Sequence, residues 1–159
     1  MTRCANCAAN AETDRGGNAL AVARLTTGYV ALHPCQYFRG MTMFVAKRCV
    51  AELYELPRDE RAMHLHEMAE VATALSEAFA PRKLNYEALG NSVPHLHWWL
   101  TPRYDDDPRP FAPIWEDLDF LRVLWTGSGR AGPDVADTRR AALFDALRNA
   151  DVTIEAAYA

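Results

Sequence analysis

The sequence predicts an α+β domain with a largely antiparallel sheet. Short β-type runs lie on both sides of one long helical stretch, and turn residues separate the runs at hairpin spacing. Length supports the same reading. At 159 residues, with 50% hydrophobic and 24% charged residues, the chain fits a single domain, residues 1–159, with a proper core.

The elements follow in order. Residues 10–18 are polar and glycine-containing and read as a loop. Residues 19–23 and 28–32 read as two strands joined by a tight turn at Thr26, Thr27 and Gly28. Residues 42–46 form a third strand entered through Gly40. The clearest helix begins near Pro57, which suits a first turn, with Asp59 and Glu60 at the positive end of the dipole. Met63, Met68, Val71, Ala72, Leu75 and Phe79 give it an apolar stripe, and Pro81 ends it. Residues 83–89 and 93–100 are the fourth and fifth strands. Residues 103–113 are a loop carrying three prolines and the run Asp105, Asp106, Asp107, which reads as a solvated turn because the alternating spacing of a calcium loop is missing. Residues 114–125 and 135–150 read as helices separated by a glycine-rich hinge.

The net charge of −4 excludes broad, non-specific nucleic-acid binding, which needs a basic surface. A small phosphorylated ligand needs only local donors and stays open. No apolar run approaches the roughly 20 residues of a membrane span, and Met1 to Cys4 lead into no apolar signal core, so a cytoplasmic location is expected.

The densest chemistry lies in Asn91-Ser92-Val93-Pro94-His95-Leu96-His97-Trp98-Trp99-Leu100. On a strand, residues i and i+2 share a face, so His95 and His97 are expected side by side, with Leu96 and Trp98 turned to the core. Paired imidazoles suit two tasks: holding a metal, or attacking an electrophile such as phosphorus. Four cysteines are present, and Cys4 and Cys7 have the C-x-x-C spacing that chelates one metal ion or else leaves two surface thiols. His64 and His66, two apart on a helix, share no face and read as surface histidines. Trp115 and Trp125 read as packing residues, with Trp115 near enough to the motif to line a pocket.

The segment from Ser92 to Trp98 resembles the motif of the histidine triad (HIT) superfamily, in which histidines alternate with hydrophobic residues. Tyr37-Phe38-Arg39-Gly40 before an apolar strand and Lys47-Arg48, and Pro102-Arg103 after the motif, are similar to that family as well. The likeness covers residues 1 to 116 and leaves residues 117–159 as a helical C-terminal extension. It implies a five-stranded antiparallel sheet with a long helix, a homodimer, and hydrolysis or transfer of nucleotides through a nucleotidyl-histidine intermediate. By position, the family's nucleophile falls on His97 and its first and third motif histidines on His95 and Trp99. Ser92 matches the position that donates to phosphate or the leaving group. Asn85 and Asn91 are neutral donors for the same charge, or ordinary turn and strand-end residues.

Many bacterial members hold a structural zinc with an N-terminal C-x-x-C, a histidine after the lysine-bearing strand end and the first motif histidine. The resemblance therefore implies a site of Cys4, Cys7, Cys49 and His95, with Cys49 standing where histidine is usual. Thiolate serves tetrahedral zinc as well as imidazole does, and four protein ligands leave no open position. No organic cofactor is implied.

Three departures stand out. Trp99 replaces a phosphate-contacting histidine with a larger side chain that has one indole N–H and no acid function. His33 stands where an acidic residue often binds the ribose hydroxyls, and Met41 follows Gly40 where histidine is frequent. The leading expectation is a nucleotide phosphohydrolase acting on a phosphoanhydride, phosphoramidate or phosphoester. The alternatives are a nucleotidyl or other group transferase in a biosynthetic pathway, and a non-catalytic nucleotide-binding protein whose site Trp99 closes.

Overall fold

The structure, a computed structural model, describes residues 4–159. Helix α1 (Ala5–Asp14) precedes strands β1 (Ala21–Arg24), β2 (Gly28–Leu32) and β3 (Thr42–Ala46). The long helix α2 (Arg58–Phe79) leads to β4 (Lys83–Glu87) and β5 (His97–Arg103). Helices α3 (Leu118–Thr126) and α4 (Pro133–Leu147) and a short strand β6 (Ala156–Ala157) follow. The sheet order is β4-β5-β3-β2-β1-β6, with antiparallel neighbours throughout. The expected α+β architecture holds, with six strands in place of five.

Pleating divides the side chains between two faces. Val30 and Leu32 of β2, Phe44 of β3 and Leu100 of β5 enter the main core with Val71 and Leu75 of α2 and Leu143 and Leu147 of α4. Each such apolar side chain withdrawn from water is worth about 1.5–3 kcal/mol. Residues beyond 117 therefore share the central core, and α4 packs against both α2 and β1. The opposite face carries His97, Trp99, Thr101 and Arg103 of β5 beside Asn85 and Glu87 of β4, as the register requires. A second cluster, with Phe38, Met41, Ile114 and Phe120 at its centre, packs on Trp99.

Several local expectations change. Residues 5–14 form a helix, and its buried positions, Asn10 and Thr13, are polar, so no apolar stripe announces it. The fifth strand begins at His97 instead of Val93; a turn in which the His95 N–H donates to the Val93 carbonyl at 2.8 Å holds the preceding chain out of the ladder. His95 is consequently not a strand neighbour of His97. The expected helix over 114–125 is broken at Asp117, whose carboxylate caps α3 by accepting from the Phe120 N–H at 2.9 Å. Gly40 has φ +79°, and a Cβ there would meet the Phe79 ring at 2.6 Å, so the entry to β3 requires glycine on both counts. The run Asp105 to Asp107 is not wholly solvated. Asp107 accepts from Nε of the buried Arg103 at 2.8 Å, and the same guanidinium donates to the carbonyls of Arg109 and Ala112, pinning the loop. Trp125 is 78% exposed and packs little, contrary to expectation.

His64 reverses its expected place and is fully buried, whereas His66 is exposed. The His64 ring stacks on Phe44 at 4.6 Å between centroids. Its Nε2 accepts from the Trp98 indole at 3.2 Å, so Nδ1 carries the proton and donates to Thr27 Oγ1 at 2.9 Å. The Thr27 hydroxyl passes the polarity on to Glu67, which also accepts the backbone N–H groups of Thr26 and Thr27. This relay ties α2 to the β1–β2 turn and to β5 with every polar group satisfied.

Burial holds the His64 imidazole down to about 4, against 6.5 for an ordinary histidine. Its contribution to stability is complete above about pH 6.5 and is lost as pH falls towards 4, at ~1.4 kcal/mol per pH unit for one proton. The denaturation midpoint is expected to drop across that window. His64→Gln should flatten the slope by one proton's worth relative to wild type, read from urea titrations at successive pH values.

Candidate functional site

His95 sits in the turn before β5 and is fully buried. Its Nε2–H donates to the Ala46 carbonyl at 2.8 Å. That bond fixes the tautomer and leaves Nδ1 with a free lone pair, 3.3 Å from Cys4 Sγ and 3.5 Å from Cys7 Sγ. Cys49, on the segment after β3, completes a group of four whose ligand atoms all lie within 4.8 Å of one another. The structure thus brings together every residue of the expected metal set. Cys35 lies apart from it, buried against the α3–α4 connection.

The electrostatics of the four fit a cation. Burial raises the Cys4 thiol, but hydrogen bonds, that from the Cys7 backbone foremost, outweigh it and bring the thiol down to about 6. Cys7 is pushed up to about 12 by burial and by the adjacent Cys49 and Cys4 sulfurs. One thiolate thus forms readily and the next is resisted, a conflict that a divalent ion relieves because it binds deprotonated thiols. The donor set of three thiols and one oriented imidazole matches a closed tetrahedral zinc centre, including the outer hydrogen bond that metal-bound histidines make.

His97 opens β5 on the face away from the main core and is half-buried. Its Nδ1 lies 2.6 Å from the carbonyl oxygen of His95. A carbonyl accepts only, so Nδ1 carries the proton and Nε2 is the bare, nucleophilic nitrogen. The accepting carbonyl belongs to the adjacent turn and not to a neighbouring strand. Asn6 of α1 brings its amide nitrogen to 3.4 Å from the same ring.

A cavity of about 340 Å³ opens at this ring, lined among others by Asn91, Ser92, Glu87, Trp99 and Trp115. Leu124 and Trp125 of α3 form its outer wall. Trp99 stacks with Trp115 at 6.1 Å and 28°, and its indole nitrogen is buried without a hydrogen-bond partner among the described residues. Tryptophan therefore builds a wall of the cavity and does not fill it. His33 stands behind that wall, edge-on to Trp99 at 4.8 Å. Its Nδ1 accepts from the Cys35 N–H at 3.0 Å, and burial brings the imidazole down to about 4, so the ring is neutral and engaged. Asn85 lies two cross-strand pairs further along: its Oδ1 accepts from Arg103 at 3.3 Å, and it lines a separate cavity with Arg82 and Phe111. Of the expected ligand contacts, Ser92, Asn91 and Trp99 share the cavity with His97, while His33 and Asn85 lie outside it. Sequence reasoning missed Asn6, Glu87 and the α3 wall. Only the cross-strand register of β4 and β5, invisible in one sequence, joins Glu87 to the motif.

Residues 30–106 match the HIT domain family model. The Protein hit of Bacillus subtilis is 28% identical over 86 residues, which are 51% of this chain and 59% of that protein, so the match spans about three fifths of the curated relative's length. A histidine triad protein of Sinorhizobium meliloti is 26% identical, with TM-score 0.63 over 79% of this chain and 89% of that one. Two further structures share the fold: a Zn-bound histidine triad family protein of Mycobacterium smegmatis (19% identical, TM-score 0.63, 90% of this chain and 94% of that one) and a protein of Sulfolobus tokodaii described as a hypothetical histidine triad nucleotide-binding protein (15%, 0.67, 92% and 93%). The motif, the sheet and the alignment agree: the chain carries the HIT domain match over just under half its length and shares the histidine triad fold.

Proposed function

We propose that the protein binds a nucleotide bearing a phosphoanhydride, phosphoramidate or phosphoester and hydrolyses it through a nucleotidyl adduct on His97. The observation that carries this reading is the 2.6 Å contact between His97 Nδ1 and the His95 carbonyl, which leaves Nε2 unprotonated on a ring lining a cavity of about 340 Å³. Imidazole so fixed attacks phosphorus without first losing a proton. Ser92 and Asn91 supply neutral donors for the equatorial oxygens, where developing charge is stabilised. Trp99 and Trp115 offer apolar faces for a base or for an aromatic leaving group. The Sulfolobus tokodaii neighbour, by its description, supports nucleotide as the ligand class.

The aromatic wall at Trp99 also favours a second reading, transfer of the nucleotidyl group to an acceptor other than water. The exposed indole of Trp125 at the mouth gives an acceptor a surface to dock on. Product analysis separates water from a second acceptor.

Zinc in this reading is structural, held by Cys4, Cys7, Cys49 and His95, and supplies a cross-link between α1, the end of β3 and the approach to β5. The Mycobacterium smegmatis neighbour supports the choice of metal. A reducing cytoplasm, where these thiols stay unpaired, is the fitting location. Among the described residues no helix is long and apolar enough to cross a membrane. The unpaired edge of β4, with Tyr86 48% exposed, supports a homodimer as the working assembly.

Four measurements test these statements. Mass spectrometry after incubation with nucleotide p-nitrophenyl esters should show one added nucleoside monophosphate. His97→Ala should show none and lose turnover by about 10³-fold or more while keeping its circular dichroism spectrum. Elemental analysis should find one zinc per chain, absent in Cys7→Ser. Chelation should lower the melting midpoint by on the order of 10 °C, since each kcal/mol is worth ~2–4 °C in a chain of this size. Sedimentation should give twice the 17.8 kDa chain mass.

A further inference from the structure

Glu87 is the one carboxylate among the described residues lining the cavity that holds His97. It ends β4 directly opposite Trp99, with Asn85 opposite Thr101 in the preceding pair on the same face. Directly opposed side chains in an antiparallel pair stand about 4.5–5.5 Å apart at Cβ, and diagonal ones about 7–8 Å, so Glu87 stands beside Trp99 and diagonally across from His97. Oε2 of Glu87 is sealed from solvent and has no hydrogen-bond partner among the described residues. A carboxylate with one oxygen so placed is poorly stabilised, whereas the neutral acid leaves only a carbonyl unpaired. Burial accordingly raises this carboxyl above the ordinary glutamate range, against the opposing pull of the Trp115 indole and the Arg103 guanidinium.

Trp99 removes the only third imidazole this motif could have offered, and an indole cannot give up its proton in such a reaction. We propose that Glu87 takes over proton transfer at this site, as general acid to the leaving group and then as general base to the incoming water. The proposal rests on the phosphoryl-transfer reading above. In the first step His97 Nε2 forms a bond to phosphorus as the bond from phosphorus to the leaving oxygen or nitrogen breaks. The Glu87 carboxyl hands its proton to that atom and becomes a carboxylate. In the second step a water oxygen bonds to phosphorus while Glu87 takes one of its protons. The phosphorus–nitrogen bond breaks, its electron pair returns to Nε2, and Glu87 is neutral again. His97 Nδ1–H stays bonded to the His95 carbonyl throughout. Glu87 is thereby also a specificity determinant, since it favours leaving groups that need a proton.

The test compares two probes, the phenyl and p-nitrophenyl esters of adenosine 5′-monophosphate, with wild type and Glu87→Gln. Phenol has a pKa of about 10, like the tyrosine side chain, and needs protonation as it departs, whereas p-nitrophenolate leaves without it. Glutamine keeps the shape of the neutral acid but has no proton to transfer. For Glu87→Gln, the rate of the p-nitrophenol burst, reporting formation of the adduct, should stay within about threefold of wild type and certify the fold, while the rate of adduct formation from the phenyl ester falls by roughly 10²-fold or more. Equal loss in the rate of adduct formation on both probes, or no loss on either, overturns the role of Glu87 while leaving the His97 adduct intact in wild type. If wild type itself releases no p-nitrophenol and forms no adduct on His97, the phosphoryl-transfer reading falls and this inference with it.

Discussion

The functional end of the molecule depends on the three-way engagement of His95. Its Nε2–H holds the Ala46 carbonyl, its Nδ1 faces the thiols, and its own carbonyl accepts from His97 Nδ1–H. Side chain and backbone of one residue thus join the cysteine cluster to the His97 ring. The Ala46 carbonyl also accepts from Asn10 of α1 at 3.0 Å, so the helix carrying Cys7 is registered on the same oxygen. A cross-link at the thiols therefore fixes the orientation of the turn that selects the His97 tautomer, although no ligand of the cluster lines the cavity. The cysteine cluster and the His97 imidazole are mechanically one unit.

The sheet keeps stability and chemistry on opposite faces. On one side, α2 and α4 close a dry cluster around Phe44 and Leu100, and the single polar relay there, through His64, is complete. On the other side, unmet polar capacity collects at Thr101 and, beside the cavity, at Trp99 and Glu87. Buried groups without partners are costly, and they persist where binding supplies the partner or the reaction uses the strain. Arg103, four pairs from Trp99, shows the contrast: its guanidinium is shared among Asp107, Asn85 and two backbone carbonyls and anchors the loop after β5.

Much of this was legible in the sequence, and the gaps have physical causes. β-Type runs bounded by turn residues announced the first four strands to within two residues at each end, because turn chemistry is written locally in the chain. The metal set could be written down from C-x-x-C spacing and the family likeness, Cys49 included. Helix α1 could not, since its buried positions are Asn10 and Thr13. His64 was misplaced because i, i+2 spacing was judged between the two histidines, while the decisive partners, Thr27 and Trp98, lie 37 and 34 residues away. Asn85 and Glu87 sit two apart on one strand face, yet the first is consumed by Arg103 and the second reaches the cavity. That distinction belongs to register and loop packing, which a single sequence does not encode locally.

Strand β1 is flanked on one edge by β6, and α4 lies across it. The innermost cluster therefore draws on residues more than a hundred positions apart, Val22 and Leu25 with Leu143 and Leu147. As the polypeptide leaves the ribosome, the first hairpin emerges early and must wait, its apolar side uncovered, until α4 has been made. Such distant closures slow folding and lengthen exposure to aggregation.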